Sequence, residues 1–262
     1  MKLCFTLLMA TAVAFTLAAG PAQAQLFTTT GTFSFSLSGS APAGAYYSGD
    51  HGDIDVHEHA PGDWEVHYHF HANNPTGPTG GNGFPGTPAE NGPPEWAWEW
   101  EAGDLTTWIN TSIPGVSVSR PIGTQWDFTG VAAGQPLYIL PASPTTGLPY
   151  LGFSAEEHSF DVIYSLGTVT GGNMSAWIQD GFGTPTPLWS SSSPGSTSAN
   201  NSLTIPAGSH AHVFLGFSQP GDFTAAITAV PEPTSIGLAA VGAVGLAGGA
   251  MLRRRWRLQL QK

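Results

Sequence analysis

Along the body of the chain apolar and polar residues alternate with period two or gather in short apolar runs, and no 3.6-residue stripe is sustained. Thr32 to Leu37 reads Thr-Phe-Ser-Phe-Ser-Leu, which places every second side chain on one buried face. Similar patterns predict strands over Ile54 to His59, Trp64 to His71, Pro136 to Leu140, Phe160 to Thr170, Met174 to Gln179, Ser202 to Ile205, His212 to Phe217 and Phe223 to Thr228. Clusters of Gly, Pro, Asn and Ser separate them, so the expected fold is all-β, a single β-sandwich or jelly-roll-like domain.

Asn73 to Pro94 breaks the pattern, since Asn, Pro, Gly and Thr dominate it, and it reads as a long Gly/Pro loop inserted into that domain. The His-rich part before this loop is too short to fold alone. After it comes Glu95-Trp96-Ala97-Trp98-Glu99-Trp100-Glu101, either an edge strand or an aromatic-acidic flap.

Two end segments fall outside the fold. Lys2, an apolar run from Leu3 to Ala19 and the small-x-small site Ala22-Gln23-Ala24 make residues 1–24 a secretory signal peptide. The only cysteine, Cys4, leaves with it, so the mature chain has no disulfide and no thiolate metal ligand. At the other end Pro231-Glu232-Pro233 precedes an apolar stretch, Ser235 to Leu252, then Arg253-Arg254-Arg255 and Arg257. The stretch is just long enough to cross a bilayer as a helix, and the arginines keep the tail cytoplasmic. Residues 230–262 resemble the PEP-CTERM sorting signal. That resemblance implies removal of the helix by an exosortase, transient anchoring in the inner membrane, and display on the surface or extracellular matrix of a Gram-negative bacterium. A permanent single-span anchor is the alternative; the order of the three parts at the terminus favours sorting. The domain between the ends is residues 25–229, with the loop insertion at 73–94.

Composition agrees with a strand-rich exported domain: charged residues are 10%, with 34 Gly and 22 Pro among 262 residues. From Gln25 to Val230 the one basic residue is Arg120, against every acid except Glu232. Such a chain cannot displace counterions from phosphates, which excludes nucleic acid as a partner and makes cations the attractive one.

Six of the nine histidines lie between His51 and His71: His51, His57, His59, His67, His69 and His71. On strands His57 and His59 share a face, as do His67, His69 and His71, and a turn at Ala60-Pro61-Gly62-Asp63 pairs the two rows in a hairpin. His210 and His212 form a third pair far along the chain, and one shared site requires folding to bring it to the others. Imidazole suits zinc, with copper as the alternative, and Asp53 heads the nearby carboxylates, with Asp50, Asp55, Glu58 and Glu65 beside it. His158, alone beside Glu156 and Glu157, reads as an ordinary histidine.

His51-Gly52-Asp53-Ile54, His67-Tyr68-His69, Ala133 to Pro141, Gly147 to Gly152, Asp180 to Pro185 and Pro206 to His212 leading to Gly216-Phe217 occur in an order that resembles the choice-of-anchor M domain proteins. The nearest branch is the PEP-CTERM proteins repressed by the zinc-uptake regulator. The resemblance spans most of Tyr47 to Ala229 and implies an extracellular β domain connected with zinc supply, with His51, His67, His69, His210 and His212 as the matching histidines. His57-Glu58-His59, His71 and the long loop depart from it.

The leading expectation is a surface-displayed protein that captures or buffers zinc without catalysis. A matrix module using Trp96, Trp98, Trp100 and Trp108 to bind extracellular polysaccharide is the second. A metalloenzyme is the third: Val56 to Asp63 superficially resembles the copper-site strand of Cu/Zn superoxide dismutase, and His-x-His on a jelly-roll strand resembles cupins. Against it stand the missing cysteines, the missing cupin glutamate, and the absence of Gly-x-Ser-x-Gly or HExxH.

Overall fold

Alternation becomes burial directly in the first strand, Thr29–Ser38 (β1), where Phe33, Phe35 and Leu37 are buried beneath the more exposed Thr32 and Ser34. The computed structural model describes residues 27–44, 46–48, 51–70, 87–88, 98–192 and 201–232. The signal peptide, most of the loop 73–94, His71, Trp96 and the span 235–252 lie outside the described residues. Phe27–Val230 forms one compact unit, and among the described residues it is all-β apart from a 3-10 helix at Thr124–Thr129. Among the described residues no helix is long and apolar enough to cross a membrane.

Three sheets build it. The first runs Ser202–Ile205 (β14), Val162–Thr170 (β11), Gly221–Pro231 (β17), β1, Thr106–Asn110 (β7), Tyr46–Tyr47 (β2). The second runs His210–His212 (β15), Tyr150–Ser154 (β10), His51–Ala60 (β3), Asp63–Phe70 (β4), Trp98–Glu101 (β6), Thr87–Pro88 (β5). The third runs Pro185–Ser190 (β13), Met174–Gln179 (β12), Phe214–Phe217 (β16), Pro136–Leu140 (β9), Ser117–Ser119 (β8).

Side chains from all three sheets meet in one buried cluster. Phe33 of β1 meets Tyr68 of β4 edge-on at 4.9 Å, Phe35 lies 5.5 Å from Phe217 of β16, and Phe153 of β10 lies 4.9 Å from Trp189 of β13. Burying an aromatic side chain of this kind contributes about 1.5–3 kcal/mol. Polar contacts cross the core as well: Tyr68 Oη and Thr107 Oγ1 of β7 are 2.8 Å apart and buried, and Tyr164 Oη of β11 donates to the Ser154 carbonyl of β10. Tyr68→Phe orphans the Thr107 hydroxyl in a dry interior, with an expected loss of about 1–3 kcal/mol by chemical denaturation.

One difference from the sequence reading and one choice that it left open matter for the site. The apolar run His212 to Phe217 is not one strand: the chain leaves the second sheet after His212, passes through buried Val213 and enters the third at Phe214. The Trp-rich segment supplies a strand, since β6 pairs with β4, and Thr87–Pro88 pairs with β6 in turn.

Candidate metal centre

Period two decides which side of the second sheet carries chemistry. In β3, Ile54 and Val56 turn into the core, which sends His51, Asp53, Asp55 and His57 to the opposite face. In β4, Val66, Tyr68 and Phe70 turn inward and Glu65, His67 and His69 turn outward. The turn between these strands uses Gly62 at φ 86, whose N–H donates to Glu58 Oε1 at 2.6 Å. The hairpin register sets Asp53 opposite His69, Asp55 opposite His67 and His57 opposite Glu65. β6 adds Glu99 and Glu101 opposite His69 and His67. On the other flank, parallel pairing of β3 with β10 sets Asp53 opposite Gly152, and β15 brings His212 opposite the same glycine. Five strands thus share a face of imidazoles and carboxylates.

On this face the first group comprises His51, His210 and His212, each offering a ring nitrogen within 4.8 Å of the others. Asp53 and Glu156 join it, forming a second such set with His210. His51 Nε2 is 3.4 Å from Asp53 Oδ2, and His210 Nδ1 pairs with Glu156 Oε1. The histidines come from strands separated by β10, and they meet because Gly152 has no side chain. A Cβ there would stand 2.1 Å from Asp53 Oδ1 and 2.9 Å from the His212 ring. Tyr150 stacks on His212 at 3.7 Å and fixes that ring. Burial, aided by His51 and His210, lowers the His212 pKa against the opposing Leu151 backbone and Asp53, so His212 favours the neutral, ligating form.

The second group comprises His57, His67 and Glu99. Glu99 Oε1 lies 3.4 Å from His57 Nδ1 and 3.8 Å from His67 Nε2. Burial pushes His67 down to about 3, with His57, His69 and His59 acting in the same direction and Asp55 against it. His67 is therefore a neutral imidazole at physiological pH. Its Nδ1, like Nε2 of His57, is buried with no hydrogen-bond partner. His59 stands at the rim, its ring 4.9 Å from that of His57 and its Nε2 3.3 Å from Glu65 Oε2.

A third set closes on itself. His69 Nδ1 lies 3.6 Å from Asp55 Oδ2, and His158 Nε2 lies 3.5 Å from Asp55 Oδ1 and 2.8 Å from the Val56 carbonyl. Burial alone would raise Asp55, but His158 and His69 hold it well below the usual carboxylate range. Both histidines are raised despite burial, because Asp55 bonds to and attracts their charged forms, with help from Glu157. Turned to Asp55 in this way, His69 and His158 stand outside both donor groups.

The expected convergence of all three His-x-His pairs therefore takes another form. His210 and His212 meet His51, whereas His57 and His67 meet Glu99, and His69 turns to Asp55 in neither group; His71 is outside the described residues. Sequence reading missed Glu99, Glu156 and the role of His158. The Trp-Glu-Trp-Glu alternation could have shown that Glu99 and Glu101 share a face. Nothing local marks Glu156 or His158, which depend on the β3–β10 pairing. Of the tryptophans offered for sugar binding, Trp100 packs against the core, and Trp108 donates its N–H to Ser38 and meets Tyr46 edge-on at 5.3 Å.

The donor chemistry fits a divalent ion of the zinc or copper class. Tetrahedral zinc needs nitrogen donors roughly 3.3 Å apart, so donors within 4.8 Å close on it through side-chain shifts of under about 1 Å each. No protein-family model matches the chain, and neither the curated proteins nor the solved structures contain a match.

Proposed function

We propose that this is an exported protein that binds zinc on one face of a β-sandwich-like domain and captures or buffers the ion without catalysing a reaction. In this reading residues 1–24 direct export. The Pro-Glu-Pro segment, span and arginines at 230–262 serve exosortase sorting to the surface or matrix of a Gram-negative cell, after transient anchoring in the inner membrane. The observation that carries the zinc assignment is the meeting of His51 with His210 and His212, which are separated by most of the domain's sequence yet present their nitrogens to one point. The acidic body supports it, since it draws cations toward the face. So does the neutral state of His67 and His212, because a ligating imidazole must be deprotonated.

Calorimetric zinc titration of the untagged protein tests this. We expect saturable binding at neutral pH, with binding at the His51, His210 and His212 group weakened at least tenfold in His51→Asn/His212→Asn. Absence of zinc and copper binding at micromolar protein overturns the proposal, and glycan binding insensitive to chelator would then favour the matrix-module alternative.

A further inference from the structure

We propose that the face holds two ions at separate centres of different character: an accessible one at His51, His210 and His212, and an enclosed one at His57, His67 and Glu99. This rests on the zinc-binding reading and adds stoichiometry, ligand class and a division of roles.

Geometry separates the centres. The first spans β15 to β3, bridging over Gly152. The second spans β3 to β6. Strand spacing and register put their midpoints roughly 10–15 Å apart, too far to share an ion. Between them stands Asp55, engaged by His69 and His158. That closed set offers no third centre and keeps the two donor groups apart.

The donor sets also differ. The first has three imidazoles, with Asp53 and Glu156 beside them; the second has two imidazoles and one carboxylate. Their exposure differs as well. His51 and His210 are 27% and 33% exposed, so incoming ions and competing ligands reach the first centre from the His210 side, although His51 Nε2 and both His212 nitrogens are themselves buried. His57 and Glu99 are each 14% exposed and His67 is 5% exposed. An ion at the second centre exchanges slowly, because water and chelator must enter before a ligand can leave. Buried nitrogens without a hydrogen-bond partner occur at both centres, His57 Nε2 and His67 Nδ1 at the second and both nitrogens of His212 at the first, so each group has unused donor capacity. The accessible centre captures, and the enclosed centre retains.

Native mass spectrometry of the untagged protein titrated with zinc tests this, alongside His210→Asn/His212→Asn, which alters a short edge strand, and Glu99→Gln, which removes the carboxylate without opening a cavity. We expect two zinc ions for the parent and one for each variant. Release to excess chelator is expected to be biphasic in the parent, with the slow phase absent from Glu99→Gln. Copper supplies a variant-free check: at saturation the two Cu(II) spectra should show dipolar broadening at a separation of about 10–15 Å, absent at substoichiometric loading. One ion in the parent, lost entirely in either variant, overturns the two-centre assignment while leaving zinc binding intact. Two ions released in one phase overturn the division of roles. No ion bound by the parent overturns zinc binding itself.

Discussion

Gly152→Val is expected to abolish ion binding at the His51, His210 and His212 group while leaving the His57, His67 and Glu99 group able to bind. The glycine lies on β10, directly between Asp53 on one neighbouring strand and His212 on the other. Even a single added carbon would enter the van der Waals shell of both, at 2.1 Å from the carboxylate oxygen and 2.9 Å from two ring atoms. Valine adds two methyls to that carbon, so Asp53 and His212 must part and the three imidazoles lose their common point. Loss of one imidazole from a three-nitrogen site costs at least tenfold in affinity, and loss of convergence costs more. Calorimetry would show one fewer ion. Unchanged stoichiometry and affinity would mean that His212 is not held where the structure puts it.

Asp55→Asn carries the largest expected effect on stability. Asp55 is buried, its carboxylate faces His69 and His158, and its Oδ1 accepts the Val56 N–H at 2.7 Å. Removing the charge leaves two enclosed imidazoles without their counterion, a change that typically costs about 3–5 kcal/mol. The pH dependence follows from the shifts. His69 and His158 are raised above 6.5, so their contribution is complete below 6.5 and is lost as pH rises through their folded values. Asp55 is depressed, so its contribution is present above 3.8 and is lost as pH falls toward its folded value. The penalty of Asp55→Asn should therefore be greatest between pH 3.8 and 6.5 and shrink toward pH 9. Urea denaturation with chelator present would measure it. A penalty unchanged from pH 5 to pH 9 would show that the two histidines are neutral in the folded protein.

How much of this was legible depended on whether the determining contact was local. The β3–β4 hairpin was readable because period two and the Pro61-Gly62 turn are both local, and together they place His57 and His67 on one face. β13 was missed because Pro185 and Pro187 argue against a strand; it is tolerated as the edge of the third sheet, where a missing N–H need break no ladder. β7 was missed because Thr107, a polar residue, takes a core position where Tyr68 satisfies it. β10 is short and buried at nearly every position, so it has no alternation to read. That omission hid the most. β10 is the strand that joins the His51 end of the hairpin to His210 and His212, and the turn after it carries Glu156 and His158. The histidine count pointed to candidate metal ligands, but the partition of those histidines into three sets follows from strand order, which no spacing along the chain encodes.

The position of β15 has a consequence for self-association. This strand is three residues long and forms the outer edge of the second sheet, covering one side of β10. Were it to fray, β10 would offer an open row of backbone donors and acceptors to the same strand of another molecule. An ion gripped by His210 and His212 from the edge and by His51 from β3 acts as a clasp across the covered strand. If the face binds zinc as proposed, occupancy would guard the fold against strand-to-strand aggregation, and starvation for the ion would loosen the same latch that waits to catch it.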